Sequence, residues 1–256
     1  MLDDFFDYIT RMSVPFISSI GSLYGFFSPF ESRRIRRFQE EHRLYLSEIS
    51  QAAFERMKSV MGVDREIVLT ESPNNQMFVL NKYFWRGAKP TLCLPSVTDR
   101  ALSETQCLST IHHFGFKHEL AHIKLGHGFI THTVFIIASV ALAIILRKFP
   151  VRENICFSIF IANLIAKKFH LKEEREADKE ALKYCNMEDI RFAKVELTMQ
   201  KRRIIAMRES NIFNRIFWNE DGSRPFYISI FHPYVKEHIS IDERRRSFER
   251  AASLLI

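Results

Sequence analysis

The chain of 256 residues has no cysteine framework: Cys93, Cys107, Cys156 and Cys185 are scattered, with no C-x-x-C pair. A short-range disulfide scaffold is therefore excluded, and the four read as reduced, mostly buried residues. Glycine and proline number only 8 each, and no repeat or low-complexity tract is present, which excludes collagen-like and compositionally disordered chains. A cleaved signal peptide is not expected, because Asp3, Asp4 and Asp7 occupy the stretch that should be positive. Acidic excess is also missing. Lysine and arginine total 37 against 30 acids, a net charge of +7, which suits either an anionic membrane surface or nucleic acid. Yet no nucleic-acid module or aromatic-interleaved basic patch accompanies that charge. What remains is an ordinary composition, 46% hydrophobic and 26% charged, in a chain long enough for a full core.

Two local runs depart from that average. Phe129 to Leu146 is eighteen residues without Asp, Glu, Lys or Arg, bounded by Arg147 and Lys148. That length matches a bilayer core of about 30 Å. A second run, Ile155 to Ala166, is twelve residues long and ends at Lys167 and Lys168. It is short for a span by itself, so the expectation is a membrane hairpin over 129–168. Residues 1–30 form a separate apolar segment carrying Pro15, Pro29, Gly21 and Gly25, a poor helix by composition. Arg33, Arg34, Arg36 and Arg37 follow it, as befits a membrane boundary.

Elsewhere the pattern is mainly helical with a small sheet, an α+β domain over 31–256. Glu31 to Met61 reads as one amphipathic helix with Ile35, Phe38, Leu46, Ile49, Phe54, Met57 and Val60 inward and Gly62 as its stop. Short strands are expected at Glu66–Thr70, Gln76–Leu80 and Thr91–Leu94. Ser103 with Gln106 has capping-box spacing, which predicts a helix from about Glu104 to Gly126. Further helices are expected over Lys172–Tyr184, Met187–Ser210 and Asp242–Leu255. A Pro- and aromatic-containing loop spans 219–234. The Phe192, Val195, Met199 stripe reads as core packing.

The chemistry lies on the helix predicted to end at Gly126, in His118-Glu119-Leu120-Ala121-His122. Residues four apart share a helical face, so both imidazoles can reach one metal ion. Glu119 is rotated about 100° from His118 and can address a water at that ion. A glycine and a third histidine three and six residues after His122 would mark a metzincin. Leu125 and Gly128 stand there instead, so the third ligand must come from elsewhere. The acidic run Glu173-Glu174-Arg175-Glu176-Ala177-Asp178 offers a carboxylate. With Glu174 as ligand, Asp178 lies one turn on and can fix the tautomer of a ligating histidine. His127, five residues after His122, falls off the metal-facing stripe and reads as a surface or supporting residue rather than a ligand; His132 and His170 read the same way.

HELAHIKLGH followed some fifty residues later by EREAD resembles the membrane-associated zinc metallopeptidases that include the CAAX prenyl protease, the heat-shock protease HtpX and the mitochondrial inner-membrane stress protease. The resemblance covers about residues 50–250. It implies a zincin-like fold, one zinc ion held by His118, His122 and Glu174, and Asp178 supporting the ligands. Hydrophobic segments between the two motifs occur in many members, as in this chain. SPNNQMFVL is similar to the family's edge-strand segment, with Gln76 replacing the usual small residue. A family-like C-terminal element is altered: His238 keeps the His-to-Arg spacing to Arg244, whereas His232-Pro233 keeps the dipeptide. His238 is preferred as the histidine that assists the oxyanion, with His232 as the alternative.

Both halves of such a site must share one aqueous compartment, so the chain between His122 and Glu174 must cross a membrane an even number of times or not at all. The resulting expectation is a membrane-associated zinc endopeptidase with Glu119 as general base, protein or peptide substrates and no nucleic-acid partner. Two alternatives remain. One is a basic membrane-surface or nucleic-acid-binding protein with a vestigial motif, motivated by Arg33–Arg37, Lys201–Arg203 and Arg244–Arg246. The other is a soluble zinc peptidase whose apolar runs form a partner-binding hairpin.

Overall fold

The computed structural model describes residues 36–72, 77–80, 89–95, 113–127, 129–210, 218–221, 223 and 239–254. The apolar segment 1–30, the Pro73-Asn74-Asn75 turn, the Ser103/Gln106 capping box, Cys107, His232 and His238 lie outside the described residues. The described chain is mainly helical with one three-stranded sheet. In chain order the elements are α1 (Glu48–Met61), β1 (Val68–Ser72), β2 (Phe78–Leu80), β3 (Thr91–Pro95), α2 (Phe114–Leu125), α3 (Phe129–Ile145), α4 (Val151–Leu182), α5 (Met187–Ser210) and α6 (Ile241–Ser253).

The single helix expected over Glu31–Met61 is broken. Residues 36–41 are helical, but the chain then runs beside β1, where Leu44 N–H donates to Leu69 O at 3.0 Å and His42 O accepts from Glu71 N–H at 2.9 Å. An outer strand edge needs partners for its backbone groups, and this segment supplies them. The helix restarts because the Ser47 hydroxyl caps Ser50 N–H, and it stops at Gly62, whose φ of +69° suits a residue without a Cβ. This new phase buries Phe54 and Met61 and leaves the supposedly inward Ile49 and Val60 exposed.

In the sheet, β3 is central. It pairs in parallel with β1 (Leu69 opposite Leu92) and antiparallel with β2 (Val79 opposite Leu92). Leu69, Val79, Leu92 and Leu94 point into a core shared with Phe54 and Met61 of α1 and with Phe116, Leu120 and Ile123 of α2. A second core gathers Phe114, Ala181, Cys185, Ile190, Leu197, Ile241 and Phe248. Helix α2 thus lies between two cores, which explains why it is buried on nearly every face. Burial of the fully enclosed Phe116 ring alone stabilises the domain by roughly 2–3 kcal/mol.

Three devices hold the other helices against α2. Ala177 and Ala181 of α4 and Ala121 of α2 are almost fully buried, and their small side chains let the two helices approach closely. Lys124 of α2 donates to Glu180 and to the Tyr184 hydroxyl beyond the end of α4. Buried Lys117 pairs at 2.7 Å with Asp189, which also closes a reciprocal cap with Asn186 at the start of α5. Cys156 and Cys185 are free thiols, and Cys93 and Cys185 are buried.

The second apolar run and the acidic run, expected as separate elements, form one helix. α4 has 32 residues and is about 48 Å long. No glycine or proline interrupts 151–182, so nothing stops the helix between Ala166 and Lys172. It packs along α3 as a hairpin, with Asn154 donating to Ala143 O at 2.9 Å near the tip. α3 has 17 residues, about 26 Å, short of the bilayer core of about 30 Å. Among the described residues no helix is long and apolar enough to cross a membrane.

The Phe192, Val195, Met199 stripe is not core: all three are more than half exposed. Ile190, Ala193, Leu197 and Ile204 occupy the inward face of α5 instead. Both stripes have helical spacing, and only the packing of α6 and α2 selects between them.

Candidate metal centre

Helix α2 begins later than the Ser103 box predicts. His113 has extended backbone, and its Nδ1 accepts from Gly115 N–H at 3.1 Å, so the helix starts at Phe114. Its end is where the sequence placed it. Gly126 takes φ +66°, its N–H meets Ile123 O, and His127 N–H returns to His122 O at 3.0 Å. This is a Schellman closure.

On this helix His118 and His122 face α4, and Glu174 of α4 faces back; all three are buried. Their ligand atoms form a triangle: His118 Nε2 to His122 Nε2 is 3.1 Å, His122 Nε2 to Glu174 Oε1 is 3.2 Å, and His118 Nε2 to Glu174 Oε2 is 3.5 Å. Tetrahedral zinc with bonds of about 2.0–2.1 Å requires edges of about 3.3 Å. The donor set therefore fits one divalent ion, and these three are the group among the described residues able to hold a metal. Glu119 is half-buried beside them, and its buried Oε2 has no hydrogen-bond partner among the described residues. Three buried donor groups so placed could hold a metal ion, with the Glu119 carboxylate on the same helix.

Asp178, one turn beyond Glu174, sits where the sequence placed it. Its Oδ1 is 2.7 Å from His118 Nδ1, though too oblique for a linear hydrogen bond. Arg244, in the first turn of α6, grips the same carboxylate with two bonds of 2.7 and 2.9 Å, and its Nη2 lies 3.9 Å from Glu174 Oε2. Ser240 fixes that turn by capping Glu243 N–H. Burial would push the Asp178 carboxyl up, but the Arg244 guanidinium and the His118 contact outweigh it and hold the carboxyl below its usual range. Burial likewise opposes charge on His118. Its contacts with Asp178 and Glu174 override that and raise its pKa to about 9 in the metal-free site.

Sequence reasoning missed one neighbour and left two others open. Arg244 entered as a spacing mark six residues after His238 and as the start of a basic run, never as a neighbour of the site. His127 is almost fully buried, with Nδ1 3.0 Å from His122 Nδ1, so of its two expected places the supporting one is occupied. Helical spacing could not reveal this, since the Gly126 turn, rather than the helix, returns the side chain to His122. His170 stands 3.9 Å from Glu174 Oε1 and 3.8 Å from Glu173 Oε2, so of its two expected places it too takes the supporting one. The one-turn offset from His170 to Glu174 on a continuous helix was the available signal.

No protein-family model, curated protein or solved structure matches the chain.

Proposed function

We propose that this chain is a zinc-dependent endopeptidase of zincin-like fold, acting on protein or peptide substrates at a membrane. One observation carries the reading: His118, His122 and Glu174 converge at spacings that suit tetrahedral zinc, with a Glu119 oxygen that has no partner among the described residues on the same helix. The resemblance of HELAHIKLGH and EREAD to the membrane metallopeptidases supports the same conclusion.

His118, His122 and Glu174 would hold one zinc ion per chain. Zinc there supplies a Lewis acid that polarises the scissile carbonyl and makes water acidic near neutral pH. Glu119 accepts the proton of the attacking water as the new C–O bond forms, then delivers it to the leaving amine as the C–N bond breaks. Asp178 and Arg244 act at one remove, keeping the His118 ring and its Nδ1 proton in place. On the resemblance alone, His238, or His232 in its stead, assists the oxyanion.

The membrane part of the proposal rests on the α3–α4 hairpin. Ile137, Val140, Ile144 and Ile145 of α3, Phe149 at the tip and Phe157 of α4 are exposed, and Arg147 and Lys148 are exposed at the same tip. An apolar flank with a basic end suits insertion into one face of an anionic bilayer. Such shallow association keeps both halves of the zinc site in one compartment without a crossing. Comparative proteomics of membranes from cells carrying wild type or Glu119→Gln tests activity and substrate together. Accumulation of intact proteins with the variant is expected; identical proteomes under conditions of equal expression would contradict the proposal.

A further inference from the structure

We propose that His127 is a positioning residue for the metal centre, the middle member of a chain running from His122 through His127 to Glu176. The inference rests on the metal-binding reading of His118, His122 and Glu174. The three side chains are in sequential contact: His122 Nδ1 is 3.0 Å from His127 Nδ1, and His127 Nε2 is 3.4 Å from Glu176 Oε2. The His122 and His127 rings are almost fully buried and meet edge to face at 5.0 Å, while the Glu176 side chain is half exposed.

Proton placement along this chain is determined from its inner end. His122 Nε2 belongs to the ligand triangle, and a metal-binding nitrogen carries no proton, so the neutral ring carries its proton on Nδ1. That N–H points at His127 Nδ1, which must then accept. His127 consequently carries its own proton on Nε2, facing a carboxylate oxygen that can only accept when ionised. Each donor thus meets an acceptor, and negative charge at Glu176 makes His127, and through it His122, a better electron donor. Carboxylate or carbonyl partners commonly perform this task for ligating histidines directly. Here a second imidazole extends the reach from a buried ligand to an acid at the protein surface.

The backbone explains why residue 127 can do this. On an uninterrupted helix it would point about 140° away from His122. The left-handed Gly126 and the His127 N–H to His122 O bond turn the chain back so that the two rings meet.

Zinc affinity measured by chelator competition on the full chain tests the proposal, with His127→Phe and His127→Asn compared to wild type. Phenylalanine fills the space without an acceptor, whereas the asparagine oxygen stands near the position of Nδ1. The expected result is a loss of about 10- to 100-fold for His127→Phe, with His127→Asn closer to wild type than to the phenylalanine variant. Equal affinity of wild type and His127→Phe, or equal losses in both variants, would overturn the proposal. A second measurement needs no variant: long-range proton–nitrogen NMR of histidine-labelled, zinc-loaded protein should show His127 as the Nε2–H tautomer and His122 as the Nδ1–H tautomer. A proton on His127 Nδ1 would overturn it. Failure of wild type to bind zinc at all would instead remove the metal reading on which the relay rests.

Discussion

Asp178 Oδ1 lies 2.7 Å from His118 Nδ1, and the same carboxylate is clasped from its other side by Arg244. The His118 ring thus stands against an acid four residues after Glu174 on the same helix, and α6 is tied to the candidate site through that acid. The Asp178→Asn variant keeps the shape and loses the charge. Its zinc affinity should fall by about 10- to 100-fold in chelator competition, while an unchanged affinity would mean that Asp178 serves only to hold α6.

Arg244 makes a testable contribution to stability. It is largely buried against Asp178, and removing one partner of such a pair costs about 3–5 kcal/mol because the other charge is left uncompensated. Arg244→Ala should therefore lower the urea midpoint strongly. Arg244→Lys should recover only part of this, since an ammonium cannot reproduce two parallel bonds. Full recovery by lysine would show that charge alone matters there.

The metal-free protein should lose stability as pH rises from 6.5 to about 9. In the folded chain His118 titrates at about 9, against an unfolded value near 6.5, so its stabilising effect is complete below pH 6.5 and disappears as pH rises through the folded value. Urea unfolding in the presence of chelator, repeated across this range, measures the slope; a flat profile would contradict the assignment. Zinc should act in the opposite sense, binding more tightly as pH rises through the same window, because it displaces the His118 proton.

Glu119→Gln should retain zinc and lose peptide hydrolysis by a factor on the order of 10²–10⁴, the usual contribution of a positioned general base. Glu119 is no part of the ligand triangle, so metal content and activity should separate in this variant. Wild-type cleavage of any identified substrate would remove Glu119 from the mechanism.

Gly126→Ala should destabilise the protein by about 1–2 kcal/mol. A Cβ at this position meets nothing within 4 Å, so the cost is that of the left-handed backbone at φ +66°. A thermal or urea midpoint equal to wild type would mean that the helix end rearranges.

Much of the fold could be read from local signals. The three strands are found within two residues of their expected starts, the bounds of α5 are those expected, and Gly62 and Gly126 end their helices as anticipated. Each of these rests on alternation, a cap or a positive φ, all written within a few residues. The breaks and mergers were not legible in that way. The split at residues 42–47 exists because β1 has an outer edge to satisfy, and the fusion of the apolar and acidic runs into α4 follows from the absence of any stop signal between them.

The grouping of His118 and His122 was legible because helical geometry fixes their spacing. Asp178 could be placed relative to Glu174 for the same reason. Arg244 and His127 reach the site through tertiary packing and a capped turn, and no periodicity encodes either contact. The α5 stripe failed for a related reason. Phe192, Val195 and Met199 have the spacing of a buried face, but α6 packs on the neighbouring one.

The central claim is that His118, His122 and Glu174 hold one zinc ion. Elemental analysis of purified protein, exchanged against metal-free buffer, tests it most directly. The prediction is one zinc per chain in wild type and in Glu119→Gln, and none in His118→Ala or Glu174→Ala preparations that retain wild-type helical content. Wild-type protein without zinc after reconstitution, or folded His118→Ala with an undiminished complement, would contradict it.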